Sequence, residues 1–257
     1  MLEKPTAGSV YFNGFQVDPG KNSKLKDYRG SVQAVFQDAG ASLNPRLKVG
    51  VSIAEPLLNL SEKLSGSETA ARVNRVLSQV GLDPHSAGRY PHEFSGGQQR
   101  RIALARALVA DPDLIICDEA TSGLDVSVQA QLLNLLLDLH REEEISYLFV
   151  SHDLAVVRYL CHNLLVMYGG RIVEELPSSD LACALHPYTL ALAAAEPSLK
   201  TRTNSASQVG EPPDPAAYPQ GCRFNPRCSV KKNICNKEYP PLIEVSGGHR
   251  LACWLYH

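Results

Sequence analysis

The sequence predicts an α/β fold built around a parallel sheet, and three observations carry this prediction. Leu114–Cys117 and Ser146–Val150 are short apolar runs of the kind that forms buried strands in a parallel sheet. Between them, Val126–His140 has the apolar periodicity of an amphipathic helix. Because strand–helix–strand alternation places neighbouring strands in parallel, we expect ligands to bind at the carboxyl ends of these strands.

The remaining elements follow from the same periodicities and from turn residues. Further strands are predicted at Ser9–Asn13 and Ser31–Phe36, and further helices at Ser67–Val80 and Arg101–Val109. Leu164–Tyr168 and Arg171–Glu175 are predicted to pair as a hairpin. The two glycines between them readily supply the positive φ angles that such a turn needs.

The composition is that of an ordinary globular protein without a membrane-spanning segment. Of the 257 residues, 44% are hydrophobic and 20% are charged, and the length favours one or two domains. The net charge of −2 argues against a protein that neutralises many phosphates of a nucleic acid. The longest purely apolar run, Leu190–Ala195, is far shorter than the roughly 20 residues that span a bilayer. Met1–Pro5 shows no secretion signal, so we expect a cytosolic protein that meets a membrane only through a partner.

Prolines mark a boundary in the C-terminal part of the chain. Eight of the 17 prolines lie between Pro197 and Pro241, and the stretch 201–221 is rich in Ser, Pro and Ala. We interpret 1–200 as a globular body, 201–221 as a linker and 222–257 as a small cysteine-bearing module.

Two adjacent carboxylates, Asp118 and Glu119, follow the apolar run Leu114–Cys117 directly. A buried strand can deliver the first carboxylate to a Mg²⁺ ion at the edge of the sheet, and the second can orient or deprotonate a water molecule. The alternative is a strand that simply runs into an acidic loop.

The sequence Ser95-Gly96-Gly97-Gln98, which we call the signature turn, precedes a predicted helix. Ser95 is a good N-cap, and the glycines leave backbone N–H groups open to an anion. The alternative is an ordinary capped helix after a turn.

Taken together with Gln37, Asp125 and His152, these motifs resemble the nucleotide-binding subunit of ATP-binding cassette (ABC) transporters. Gln37 resembles the Q-loop glutamine, and Asp118 and Glu119 resemble the Walker B aspartate and the catalytic glutamate. Asp125 resembles the D-loop aspartate and His152 the switch histidine. Phe94, before the signature turn, stands where Leu is commoner in the family.

The resemblance implies an ABC-type P-loop NTPase fold, with a RecA-like core in 1–200 and a helical subdomain at about 55–110. It also implies two subunits packed head to tail around ATP. Ser95, Gly96, Gly97 and Gln98 would face the γ-phosphate of an ATP held by the other subunit. Gln37 would contact Mg²⁺ or the attacking water, and His152 would bond the γ-phosphate.

Further segments narrow the resemblance to the ATPases of dipeptide, oligopeptide and nickel importers. They are Ser42–Arg46, Arg89–Glu93, His186–Thr189 and the C-terminal cysteine module. The implied function is ATP hydrolysis that drives import of peptides or nickel. The implied partners are a second ATPase subunit, preferably a paralogue in a heterodimer, and two permease subunits, with a solute-binding protein acting indirectly. The subunit would lie at the cytoplasmic face of the inner or plasma membrane, and a nucleic-acid partner is disfavoured.

The module carries Cys222, Cys228, Cys235 and Cys253 in the spacing C-x5-C-x6-C-x17-C. Four thiolates suit zinc or an iron–sulfur cluster, although zinc sites prefer shorter spacings. The family resemblance implies a 4Fe–4S cluster, with Zn²⁺ as the alternative and four unligated thiols as the remaining one. The other three cysteines are interpreted as small core residues: Cys117, Cys161 and Cys183.

One motif of the family is missing before Gln37. A P-loop has the form Gly-x-x-x-x-Gly-Lys-Ser/Thr, and the nearest match, Gly14 to Asn22, has five intervening residues and Asn at the hydroxyl position. We interpret Pro19-Gly20 as a turn instead. The resemblance therefore implies a family member without its N-terminal P-loop segment. An alternative function follows: a non-catalytic subunit, or a gene fragment, that donates the signature turn and cannot bind ATP by itself.

Overall fold

A computed structural model describes residues 5–18, 22–58, 64–195, 214 and 217–257, with the backbone alone at residues 22–24. The predicted turn at Pro19-Gly20 and most of the predicted linker 201–221 lie outside these residues. The chain divides into two compact units, Met1–His152 and Asp153–His257. This division falls at a different place from the boundaries inferred above for body, linker and module, which stay a prediction.

The first unit combines two small sheets with helices. Its elements in chain order are β1 (Val10–Phe12), β2 (Phe15–Val17), α1 (Asn22–Ser31), β3 (Val32–Val35), α2 (Val49–Leu58), α3 (Gly66–Gln79), α4 (Gly96–Leu108), β4 (Leu114–Asp118), α5 (Val126–Glu143) and β5 (Ser146–Val150). The predicted strands β1, β3, β4 and β5 and the predicted helices α3, α4 and α5 are confirmed. The sequence did not indicate β2, α1 or α2.

The strands β3, β4 and β5 form a parallel sheet in that order, as the alternation of strands and helices predicts. Val35 of β3 pairs with Cys117 of β4, and Asp118 pairs with Val150 of β5. The carboxyl ends of the three strands therefore meet at one edge. The residues that follow each strand are brought to that edge together.

Helix α4 is the centre of the helical part of the first unit. It contacts α2, α3 and β3, and most of its side chains from Ile102 to Leu108 are buried. The segment from Ile102 to Leu108 is apolar except for Arg106, and such a segment needs neighbours on several sides, which is what these contacts provide. Packing of this kind fixes the beginning of α4, where the signature turn lies.

The second unit is built on an antiparallel sheet. Its regular elements in chain order are α6 (Leu154–Leu160), β6 (Asn163–Tyr168), β7 (Arg171–Pro177), α7 (Pro187–Ala195), β8 (Ile243–Ser246) and β9 (His249–Leu251). The predicted hairpin is confirmed, because β6 pairs antiparallel with β7, and Gly169 and Gly170 have φ angles of 56° and 78°. The strand order is β6-β7-β9-β8, so the cysteine module adds its two strands to the sheet of the hairpin.

The core of the second unit is partly aromatic. The rings of Tyr168 and Phe224 meet edge to face at 5.2 Å, and the ring of Tyr188 lies 4.7 Å from that of Tyr168. Leu176 of β7 belongs to the same cluster, and Leu251 of β9 is also fully buried. This core joins the cysteine module to the hairpin.

The cysteines outside the module have different environments. Cys117 is buried in β4, and Cys161 is half-buried. Cys183 is exposed, so its interpretation as a core residue was wrong. It ends the 3₁₀ turn Ser178–Cys183, whose buried residues are Ser178 and Leu181 instead.

None of the helices formed by the described residues has the length and apolar character needed to cross a bilayer.

Candidate functional site

Glu119 has an unusual backbone conformation at the carboxyl end of β4. Its φ angle is 46°, in the left-handed region that residues other than glycine seldom adopt. Its N–H donates to the carbonyl oxygen of Val150 at 3.0 Å, and its own carbonyl accepts from the N–H of Ser122 at 3.0 Å. These two bonds hold the strained turn in place, and such strain is typical of functional sites.

Three side chains converge on the Glu119 carboxylate. Gln37, which follows β3, donates from Nε2 to Oε2 at 2.6 Å. His152, which follows β5, lies with Nδ1 3.1 Å from Oε1, and Ser122 donates from Oγ to Oε2 at 3.2 Å. Because an ionised carboxylate only accepts hydrogen bonds, Nδ1 of His152 carries a proton in this arrangement. The structure thus brings together the three residues that the sequence proposes as catalytic.

The hydrogen bonds around Glu119 favour its charged form. The bond from His152 is the largest cause that lowers the pKa of Glu119, and the bonds from Ser122 and Gln37 lower it further. The Glu119 side chain is 28% exposed and that of His152 is 74% exposed, so water reaches both. An ionised, water-accessible carboxylate with an imidazole beside it can orient a water molecule and accept a proton from it.

The signature turn forms the predicted helix N-terminus. Ser95 is the N-cap of α4: its Oγ accepts from the N–H of Gln98 at 3.4 Å, and the Gln98 Oε1 accepts from the N–H of Ser95 at 3.0 Å. This reciprocal pair is a capping box. The N–H groups of Gly96 and Gly97 lie in the first turn, where a helix provides them with no partner, and Ser95 and Gly96 are exposed. An anion could bind there.

Asp125 caps α5 in the way that Ser95 caps α4. Its Oδ1 accepts from the N–H of Val128 at 3.0 Å and from Oγ of Ser127 at 2.9 Å. The first of these bonds is the largest cause that lowers the pKa of Asp125. A Cβ atom on Gly97 would lie 2.7 Å from Cγ1 of Val128, so the beginnings of α4 and α5 are close neighbours.

The sequence did not point to two residues that form hydrogen bonds around Glu119 and its loop. Ser122 belongs to the loop after Glu119 and bonds its carboxylate. Arg100 of α4 donates to the backbone oxygen of Ser122, and thereby ties the helix of the signature turn to the loop of Glu119. Ser122 begins the Ser-Gly-Leu-Asp stretch shortly after Glu119, and this position could have indicated that it belongs to the site. Nothing in the sequence distinguished Arg100 from its neighbour Arg101.

Asp118 is exposed at the end of β4 and lies on the wall of an open cavity of about 1080 Å³. Arg29 and Arg106 lie on the same wall. A carboxylate in this position is accessible to a cation, and oxygen ligands are what Mg²⁺ prefers.

The four cysteines of the module share a small cavity in the second unit, which we call the thiol cavity. It has room for about 20 Å³ and is also lined by His186, Phe224 and Asn225, among others. Burial is the largest cause that raises the pKa of Cys222, to about 11. The N–H of Lys232 donates to the sulfur of Cys235 at 3.4 Å.

Within the described ranges, however, no group of three or more His, Cys, Asp or Glu side chains stands in an arrangement that could hold a metal ion. The thiols thus share a cavity without converging on a common point. The predicted cluster receives no support from their arrangement.

A buried polar cluster lies beside the thiol cavity. The carboxylate of Glu174, which is fully buried, accepts from Nε2 of His249 at 2.8 Å and from the N–H of Leu185 at 2.6 Å. The N–H of His186 also donates to it, at 3.3 Å. Burial lowers the pKa of His186 to about 4, and its Nδ1 accepts from the N–H of Tyr188 at 3.1 Å. The cluster joins β7, β9 and the start of α7.

Comparison with known proteins decides the family. Residues 1–122 match the family model described as ABC transporter, and residues 173–235 match the model for the oligopeptide/dipeptide transporter C-terminal region. An oligopeptide transport ATP-binding protein of Bacillus subtilis (strain 168) is 44% identical over 261 residues, which cover 99% of this chain and 79% of that protein. The chain belongs to the ABC transporter family.

Other relatives of this ABC transporter chain carry similar names. A dipeptide transport ATP-binding protein of Haemophilus influenzae is 42% identical, covering 99% of this chain and 78% of that protein. A di/tripeptide transport ATP-binding protein of Pseudomonas aeruginosa is 45% identical, covering 98% of this chain and 79% of that protein.

Solved structures of ABC ATPases confirm the fold class. CbiO1 from Clostridium perfringens has a TM-score of 0.63 at 26% identity, covering 75% of this chain and 74% of that one. A dimeric ATP-binding cassette in a post-hydrolysis state, bound to ADP and Pi, has a TM-score of 0.61 at 29% identity, covering 69% and 76%. The ABC-type fold predicted from the sequence is therefore that of this chain.

Proposed function

We propose that this chain is the ATP-binding and ATP-hydrolysing subunit of an ABC importer for peptides. The observation that carries the proposal is the convergence of Gln37, His152 and Ser122 on the ionised Glu119 carboxylate. Family membership supplies the reaction, and the peptide names of the relatives favour peptides over nickel. The same names favour a catalytic subunit over the alternative of a non-catalytic donor of the signature turn.

Glu119 acts as the base in this proposal. It accepts hydrogen bonds from Gln37 and His152 at rest, and a water molecule that displaces one of them receives an oriented acceptor for its proton. His152 then becomes free to donate toward a phosphate oxygen. Asp118 would hold Mg²⁺, and that ion would offset the negative charge of the phosphates. The exposure of Asp118 and its oxygen donors fit that ion.

The signature turn acts on the nucleotide of a neighbouring subunit. Its support is the exposed Ser95 hydroxyl and the open amides of Gly96 and Gly97 at the start of α4, an arrangement that suits a phosphate. Gln98 serves through its capping bond to Ser95, and Asp125 orders the adjacent start of α5. We propose a second ATPase subunit of different sequence as the neighbour.

The assembly proposed for this chain places it at the cytoplasmic face of the inner or plasma membrane. It docks there on two permease subunits, and an extracytoplasmic solute-binding protein delivers the peptide. Membership of a transporter family supports a complex with permeases, and the peptide names of the relatives support the cargo.

The thiol cavity is proposed to bind a metal group through Cys222, Cys228, Cys235 and Cys253. The support is the chemistry of the donors, since four thiols lie on the wall of one cavity. The family resemblance favours a 4Fe–4S cluster and leaves Zn²⁺ as the alternative. The cavity as it stands has room for a single ion, so a cluster requires its wall to open. Cys228→Ser should abolish bound iron or zinc, measured by metal analysis.

Glu119→Gln tests the proposed hydrolysis. In the assembled transporter, with the substitution in this chain alone, loss of the base should lower ATP turnover at the site that contains Glu119 by about 10²-fold or more, while ATP stays bound there. Glu142→Gln, which alters an exposed acid of α5, is the matched control and should turn over normally. If E119Q hydrolyses ATP as fast as the control, this chain does not supply the base, and the non-catalytic alternative gains support.

A further inference from the structure

Arg100 is the residue of α4 that reaches the loop of Glu119. It lies four positions after Gly96, so the two residues share a face of the helix. Its Nη2 donates to the backbone oxygen of Ser122. Ser122 in turn bonds Glu119 twice, because its Oγ donates to the carboxylate at 3.2 Å and its N–H donates to the Glu119 carbonyl at 3.0 Å. Arg100 therefore holds the residue that holds Glu119.

The guanidinium of Arg100 also interacts with the loop after β3. Burial lowers the pKa of Arg100, and the charge of Asp38 opposes that change. Asp38 directly follows Gln37, which donates to the Glu119 carboxylate at 2.6 Å. A single cation of α4 thus acts on the loops after both β3 and β4, and both loops carry donors to that carboxylate.

The surroundings of Arg100 are unfavourable for a residue that serves stability alone. Its Nε is buried and finds no hydrogen-bond partner among the residues that the structure describes. A buried donor without an acceptor is costly, and a long apolar side chain such as methionine would avoid the cost. Only the bond to Ser122 requires a donor at this place. The unsatisfied nitrogen therefore calls for an explanation in function.

We propose that Arg100 is a positioning residue for the base Glu119 and acts through Ser122. It keeps the loop after β4 in the place where the Ser122 hydroxyl fixes the carboxylate. This inference rests on the function proposed above, in which that carboxylate accepts a proton from water. A misplaced base loses the alignment that proton transfer needs, so the loss should appear in the chemical step and not in the binding of ATP.

Arg101 provides the matched control. It is the next residue of α4, and it also ties the helix to a backbone oxygen, because its Nη1 donates to Val80 at 2.8 Å. Val80 is the C-cap residue of α3 and lies outside every motif of the nucleotide site. Arg100→Met and Arg101→Met each remove a guanidinium and keep a long side chain.

Both variants are made in this chain of the assembled transporter, and thermal unfolding checks that each one folds. The ATP turnover that E119Q removes measures the share of the site that contains Glu119. On that share, we expect R100M to lower kcat roughly tenfold and to leave the KM for ATP unchanged, whereas R101M should match wild type.

Ser122→Ala tests whether Arg100 acts through Ser122. This substitution removes the hydroxyl that bonds the Glu119 carboxylate and keeps the backbone oxygen that accepts from Arg100. If both residues serve the same carboxylate, the loss of kcat in the double variant should be smaller than the product of the two single losses. If R100M fails to fold, R100Q replaces it with R101Q as its control, because glutamine is polar but shorter than arginine and loses the bond to Ser122.

The outcomes distinguish the inference from the function on which it rests. Equal kcat values for R100M and R101M would show that Arg100 only holds the helix in place. A raised KM for ATP with a normal kcat would assign Arg100 to nucleotide binding, and single losses that multiply in the double variant would separate it from Ser122. Each of these three results overturns the inference. If E119Q itself leaves turnover unchanged, the proposed function is wrong, and the inference falls with it.

Discussion

Ser95 and Ser65 are both N-cap residues, each at the beginning of a different helix. Ser95 caps α4 and Ser65 caps α3, each in a capping box with the residue three positions on. Ser65 lies outside every motif of the nucleotide site. The pair therefore separates the contribution of a cap to stability from a contribution to catalysis.

Ser95→Ala and Ser65→Ala should each lower the free energy of unfolding by about 1 kcal/mol, because each leaves a helix without its cap. ATP turnover of the assembled transporter should fall in S95A alone, since only that hydroxyl is proposed to meet a phosphate. Urea unfolding followed by circular dichroism and a phosphate-release assay measure the two effects. Equal turnover in S95A and S65A would remove Ser95 from the site.

At the scale of single residues, the sequence predicts which side chains come together better than how they bond. The resemblance proposes Gln37, Glu119 and His152, and these side chains meet because each follows a strand of one parallel sheet. The capping bond of Ser95 follows from residue type. What Arg100 and Ser122 do could not be inferred, since their bonds depend on how α4 packs beside the loop of Glu119.

Between elements, the contact of α4 with α5 depends on the size of one residue. Gly97→Ala would place a Cβ atom 2.7 Å from Cγ1 of Val128, a stiff β-branched side chain, whereas Gly96→Ala meets nothing within 4 Å. We expect G97A to destabilise the fold by about 1–3 kcal/mol and G96A to leave it unchanged or slightly more stable. Thermal unfolding measures this difference.

Adding Val128→Ala to G97A should restore part of the lost stability, because it removes the atom that the new methyl group strikes. A G97A variant as stable as G96A would mean that α4 and α5 do not approach as closely as the structure has them.

In the second unit, the sheet depends on a buried carboxylate. Glu174 of β7 accepts from three donors, one on β9 and two directly before α7, while the adjacent Glu175 forms an exposed ion pair with Arg250 at 2.9 Å. Glu174→Gln replaces one acceptor oxygen with an NH₂ group that faces other donors. It should cost about 3 kcal/mol, and Glu175→Gln less than about 1 kcal/mol.

Fluorescence of Trp254, the single tryptophan of the chain, reports unfolding of this unit in urea. Equal midpoints for E174Q and E175Q would show that the buried carboxylate does not hold β7, β9 and α7 together.

At the scale of elements, regular apolar periodicity was sufficient to predict a helix or a strand. Where the periodicity was absent, a helix that does form was not predicted. The helix α5 and the hairpin of β6 and β7 follow from pattern and from two glycines. Helix α2 could not be predicted, because it contains Gly50 and Pro56, both unfavourable inside helices. Burial of Val49, Ile53 and Leu57 against its neighbours outweighs that preference.

For the whole molecule, the sequence indicates the fold class but not the long-range pairing of strands. The pairing of β7 with β9 joins Glu175 to Arg250, two residues 75 positions apart. Local pattern carries no information about such a contact, so the sequence does not predict that the cysteine module adds strands to the sheet of the hairpin. The thiol cavity has the same origin, since its wall combines the module with His186.

Hydrolysis by a site shared between two subunits has one geometric requirement: the signature turn of this chain must lie on the nucleotide of its neighbour. A structure of the assembled transporter carrying E119Q, determined with ATP, measures it. We expect Ser95 Oγ within about 3 Å of a γ-phosphate oxygen of the ATP held by the second subunit. A signature turn that faces solvent, or packs on its own chain with no nucleotide near it, would contradict the shared site.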